Sequence, residues 1–290
     1  MRVKGHGSRH PSNPTLRDRK VDILIGMSLS QADRAALTQI FEAEPDLDRW
    51  RLRAQTVEEP QSSSDLAIDD EIFPQMAISQ LIRISLVSSG EHLRLALEAL
   101  RAKQLYPSSH FTVLRGALVG ASQGVWILCP GDREERRERG LSVIAEMYTQ
   151  MGKYYNSLEG LSEADQQRLA DQKVWLNNRK NGVAAVRKRT ADLNLTDVIQ
   201  KAAQETFTSS GQREAVRRLW REMSADAHVL GWSVFQRSSF GPPDPLTGIG
   251  EGQAPGSLKH LAEAFLPSYL ILKHGWSLYD RRCGQPEPVL

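Results

Sequence analysis

The segment R-E-M-S-A-D-A-H sets Arg221, Ser224 and His228 at spacings that could do chemistry together. A guanidinium presents a fork of donors to phosphate oxygens, and an imidazole can pass protons near neutral pH. Arginine and histidine seven positions apart on a helix share nearly one side, about 10.5 Å apart along its axis. The surrounding sequence, Gln212 to Phe235, predicts such a helix. Its apolar residues Val216, Trp220, Met223, Ala227, Leu230 and Val234 alternate in steps of four and three, which marks a buried seam. The Arg-Ser-His line falls about 100° round from that seam. It is therefore expected at the margin of the buried face, where packing holds a side chain still and a substrate can reach it.

Two further groups could bind partners. Between Lys173 and Arg189 stand Lys173, Arg179, Lys180, Arg187, Lys188 and Arg189, with no acid among them and with Trp175, Asn177 and Asn178 interspersed. Cations and amides suit phosphate backbones, and an aromatic ring can stack on bases. The same stretch reads equally as a solvated helix face with Trp175 turned inward. Gly116, Gly120 and Gly124 form the second group, a G-x3-G-x3-G row on an apolar helix. Glycine inside a helix costs about 1 kcal/mol against alanine. Three on one face predict a close approach of another helix, within the subunit or across a homodimer.

The elements that must carry these residues are helical. Composition is ordinary for a globular chain, 40% hydrophobic and 25% charged, and a net charge of +2 gives no overall polyelectrolyte signal. The periodicity predicts an all-α helical bundle over residues 73–280, with a flexible N-terminal region over 1–72 and a tail over 281–290. Within 1–72, the basic arm is read as unstructured and a short helix is expected after Ser30. The acidic stretch 42–71, broken by Pro45, Pro60 and a serine run, is read as a loop or linker, with room for a short helix. Val21 to Ile25 is the only strand-like run. In the bundle, helices are expected from about Pro74 to Ser88, after Gly90 to Leu100, from Ser109 to Cys129, and from Asp132 past Tyr148. Further helices are expected from Ser162 to Arg189, Thr196 to Phe207, Gln212 to Phe235 and Ser257 to Asp280. Pro267 should kink or split the last of these. Ser238 to Ser257 is a Gly/Pro-rich loop without periodicity.

The motif helix and its all-helical setting resemble the HEPN-domain proteins, helical bundles whose R-x4–6-H motif lies on a late helix. Many of them are metal-independent ribonucleases of toxin and antiviral systems, with two motif copies facing one dimer cleft. The resemblance implies that Arg221 anchors a phosphate and that His228 is the general acid or base at a ribose 2′-hydroxyl. RNA and a second copy of the chain would be the partners. Glu222 departs from the residues more often found after the motif arginine.

Other chemistry is not encoded. The loop with Gly248, Gly250 and Gly252 lacks a following G-K-[ST], so it is not a phosphate loop. His260 and His274 have no metal-ligand spacing, and Asp69-Asp70-Glu71 lacks a further turn of carboxylates. No metal or cofactor is expected. Cys129 and Cys283 stand far apart in a long chain, which favours a reducing compartment, the cytoplasm. The uncharged run Gly116 to Cys129 is shorter than the roughly 20 residues of a membrane span.

Two function classes follow: RNA binding or metal-independent cleavage, and non-catalytic protein interaction. The first requires Arg221 and His228 exposed in one cleft beside a basic surface. The second expects them packed or scattered, with an apolar patch exposed elsewhere.

Overall fold

The apolar helix expected from Ser109 is the axis around which the other helices are laid. The computed structural model describes residues 29–248, 250–253 and 256–284. Its elements in chain order are α1 (Gln31–Phe41), α2 (Glu44–Ala54), α3 (Asp65–Asp70), α4 (Ile78–Arg101), α5 (Ser109–Leu128) and α6 (Arg133–Asn156), then α7 (Glu163–Val186), α8 (Leu195–Thr206), α9 (Ser210–Ala227) and α10 (Trp232–Arg237). A two-residue antiparallel ribbon, β1 (Ser239–Phe240) with β2 (Gly252–Gln253), precedes α11 (Leu258–Arg282). The protein is an all-α bundle, and the ribbon ties the two ends of the Gly/Pro loop together.

Helix α5 touches α4, α6, α8, α9 and α11. Its Leu114, Ala117, Leu118, Ala121, Val125, Ile127 and Leu128 are all buried. At 20 residues it is long and apolar enough to cross a membrane. The uncharged run from Gly116 is shorter than a span, but the whole helix from Ser109, with its one arginine, is not. Neighbouring helices cover its apolar surface, and that accounts for its composition.

The glycine row lies on α5 where α4 crosses it, inside one chain. A Cβ on Gly116 would stand 2.6 Å from the His92 ring, and one on Gly124 would stand 2.6 Å from a Leu86 methyl. At Gly120 it would meet the Ser85 carbonyl oxygen at 2.5 Å, which is backbone and has little room to move. Beside this contact the Ser89 hydroxyl donates to the Ala117 carbonyl at 2.7 Å, a bond that only a close crossing allows.

Several boundaries differ from the expectation. Residues 1–28, with the basic arm and the Val21–Ile25 run, lie outside the described residues. The helix expected after Ser30 is α1, with Leu37 and Ile40 buried, while the stretch 42–71 holds two helices, α2 and α3, which bury Leu47, Trp50 and Leu66. Pro45 sits in the first turn of α2, where a missing N–H is harmless. Gly90 does not end a helix. Helix α4 runs through it, since Leu86, Ser89, Leu93 and Leu97 continue one buried stripe, and the helix starts at Ile78, where Asp70 accepts from the Ser79 amide at 2.8 Å. Finally, α11 continues through Pro267.

Helices α6 and α7 form an antiparallel hairpin. Helix α7 packs chiefly on α6 and buries only Leu176 and Val183. The base of α6 is fixed by Arg136, which is buried and donates to buried Asp69 at 2.7 Å.

Gly120→Leu tests the crossing. Overpacking should cost about 1–3 kcal/mol, read by chemical denaturation, while the mass in solution stays that of the wild type. Unchanged stability would mean that the row faces solvent, and a change of mass would place it between subunits.

Candidate functional site

The motif helix does not run to Phe235. It ends at Ala227, with His228 as its C-cap. Val229 takes φ +56°, its N–H donates to the Asp226 carbonyl at 3.1 Å, and the Leu230 N–H donates to the Ala225 carbonyl at 2.9 Å. This pair of bonds closes a helix through a left-handed residue, a place glycine usually takes. A β-branched residue there is strained. Gly231 is also left-handed, at φ +67°, and α10 starts after it in a new direction.

Arg221, Ser224 and His228 all stay on α9 up to its C-cap, since the His228 N–H still donates to the Ser224 carbonyl at 3.1 Å, but they meet different surroundings. Arg221 is exposed on α9 and lines a cavity of 380 Å³ together with Arg218, Trp232, Gln236 and His260. Ser224 is half-buried and accepts from Arg115 Nε at 3.2 Å, while the Arg115 guanidinium lies 4.8 Å from the Trp220 ring. His228, the C-cap, is exposed and does not line the Arg221 cavity. The histidine that shares that cavity is His260, in the first turn of α11.

Sequence reasoning missed the anchor of this corner. The Asp226 side chain is fully buried and takes both ends of the Arg237 guanidinium, at 2.6 and 2.9 Å. Arg237 also donates to Glu222 at 2.8 Å and lies 4.0 Å above the Phe111 ring. The Ser108 hydroxyl donates to Asp226 at 2.8 Å. Burial pulls the Arg237 pKa down, and its two carboxylate partners more than offset this, holding it above its ordinary value. With Arg237 turned inward and pinned, the apolar side chains around it are left outside. Val229 is 87% exposed, Leu230 61%, Trp232 43%, Phe235 63% and Phe240 55%. The Phe235 and Phe240 rings meet edge-on at 6.2 Å.

The basic stretch is divided. Lys188 pairs with Glu134 at 2.6 Å and Arg189 with Glu135 at 3.1 Å, while the Glu138 carboxylate accepts the backbone N–H groups of both cations. The Lys188 ammonium holds the Glu134 carboxyl below its ordinary value, and Arg189 does the same for Glu135. The Arg187 guanidinium bonds the Ala191 carbonyl. These three residues close a corner between α6 and the end of α7. Lys173, Arg179 and Lys180 remain on α7, with Arg179 stacked 5.3 Å from the Trp175 ring. Trp175 is not turned inward; it is 40% exposed, with its ring against Tyr148. None of these cations lines the Arg221 cavity.

Among the described residues no group of three or more His, Cys, Asp or Glu could hold a metal ion. Asp69 is engaged by Arg136 and Asp70 by Ser79, so the acidic run is structural. No protein-family model, curated protein or solved structure matches this chain.

Two substitutions test the corner in opposite directions. Arg237→Met strands Asp226 in the interior and should cost about 3–5 kcal/mol. Val229→Gly relieves the left-handed valine and should raise stability by about 1 kcal/mol. Denaturation that finds Arg237→Met neutral, or Val229→Gly destabilising, would contradict this description of the corner.

Proposed function

We propose that this chain works through protein contacts, and that the Val229–Phe240 face docks on the same face of a second copy. The observation that carries the reading is the exposed apolar face held out by the buried Arg237. From Val229 to Pro243 the only charged residue is Arg237, and its charge is met by carboxylates inside the corner. A face whose own residues carry no unpaired charge can be matched by itself, and its aromatic rings can interdigitate. A heterologous protein would cover the same residues without doubling the mass. A cytoplasmic location belongs to this proposal, on the strength of two cysteines placed far apart in the sequence.

A second reading, HEPN-like RNA binding and metal-independent cleavage, is favoured by one observation. Arg221 and His228 are both exposed; His228 directly precedes Val229, and Arg221 shares a cavity with Trp232. A two-fold contact there would bring two Arg221/His228 pairs to one seam. In that arrangement Arg221 holds a phosphate and His228 exchanges the proton of the 2′-hydroxyl. Ser224, bound to Arg115, positions the helix and does not act on the substrate.

Sedimentation equilibrium tests the first reading. Wild type should weigh twice the 32.5 kDa of one chain, and Phe235→Asp should be monomeric with an unchanged helical spectrum. A wild type that stays monomeric at high concentration excludes self-association. Incubation with mixed RNA in a chelator tests the second. Wild type should yield 2′,3′-cyclic phosphate ends, and His228→Ala should cleave at least about 100-fold more slowly. Intact RNA leaves the contact reading alone, and equal cleavage by both proteins removes His228 from the chemistry.

A further inference from the structure

We infer that the cavity between α9, α10 and α11 binds a phosphate ester carried on a planar ring, a ligand of nucleotide size. This goes beyond the contact reading and does not depend on it. The cavity measures 380 Å³, within the size range of small-molecule sites. Arg218 and Arg221 stand three apart on α9, on neighbouring positions of one face. Among the described residues no carboxylate lies within ion-pair distance of either, although both line the cavity. Two guanidinium forks side by side offer a phosphate more donors than one lysine could, in a geometry that matches its oxygens.

The opposite wall adds to the positive field. His260 belongs to the first turn of α11, a 25-residue helix whose N-terminus carries the positive end of its dipole. Two carboxylates also line the cavity. Glu222 is taken by Arg237 at 2.8 Å, and Glu263 stands 3.9 Å from the Lys259 ammonium. Asp226 shares Arg237 with Glu222, yet the lining itself sets three arginines against two carboxylates and so stays net positive toward an anion. Trp232 and Gln236, on α10, also line it, beside Arg237 and apolar Phe111 and Leu219. An indole supplies a stacking face, and a primary amide can both donate to and accept from a ring edge. This combination distinguishes the cavity from a general anion site. Inorganic phosphate would use only the arginine half, and a nucleoside only the α10 half.

Calorimetric titration with inorganic phosphate, adenosine, phenyl phosphate and 5′-AMP tests this on wild type and on the Phe235→Asp monomer, so that failure of the contact reading is seen separately. The expected result is saturable binding of 5′-AMP in both proteins, at least about tenfold tighter than inorganic phosphate or adenosine. Phenyl phosphate should fall between, because its ring lacks the edge groups that Gln236 could read. Arg218→Gln with Arg221→Gln should weaken 5′-AMP at least about tenfold, and the paired lysine variant should restore part of the affinity. Trp232→Leu should reduce 5′-AMP binding to the level of inorganic phosphate. A short oligoadenylate binding more tightly than 5′-AMP assigns the ligand to an RNA end, and equal binding assigns it to the free nucleotide. Equal affinity for phosphate and 5′-AMP would overturn the proposal. So would glutamine variants that are folded and bind normally, or no saturable heat for any ligand up to about 10 mM.

Discussion

The Arg237 guanidinium lies over the Phe111 ring with Asp226 and Glu222 along its edge, and the surface around it is laid out by that contact. A charged side chain taken out of water must meet its partners in good geometry, since an unpaired one is destabilising by several kcal/mol. Arg237 can meet Asp226 only if α10 folds back across the end of α9. The chain makes that turn in the few residues from His228 to Gly231, two of them left-handed. Once the arginine points inward, Trp232 and Phe235 on the same short helix are left facing outward. The strained Val229, the exposed aromatic face and the cavity beside α11 thus share one electrostatic cause.

That corner stands on a rigid base. The three glycines of α5 let α4 approach until side chain and backbone touch, and five helices close around the same axis. Phe111 and Ser108, which support Arg237 and Asp226, sit in and just before the first turn of α5. The α6–α7 hairpin is built differently. It has few buried apolar residues and relies on ion pairs at its base, so its cations are partly consumed in holding it.

Helical periodicity and caps made most of the bundle legible. The expected starts after Ser30, at Asp132 and at Ser162 coincide with side chains that cap the Asp33, Glu135 and Asp165 amides. Helix α2 was hidden because charged residues fill most of it and Pro45 reads as a breaker, although Leu47 and Trp50 are buried. The break at His228 was hidden for the opposite reason. Leu230 and Val234 continue the apolar spacing of Val216, Trp220 and Met223, so periodicity alone runs straight through it, and Gly231 was the one local signal. The Asp226–Arg237 pair joins residues on two helices at a register that only the turn creates, and no pattern within either helix encodes it. His228, the last residue before the turn, keeps its place on α9 but does not line the Arg221 cavity, whereas His260, distant in sequence, does.

Hydrogen–deuterium exchange measured across a range of protein concentrations tests the central claim most directly. If the face held out by Arg237 is where two copies meet, amides between Val229 and Phe240 should become more protected as concentration rises, while those of the α6–α7 hairpin stay constant. Protection that grows on the hairpin instead, or exchange at Val229–Phe240 that does not depend on concentration, would contradict it.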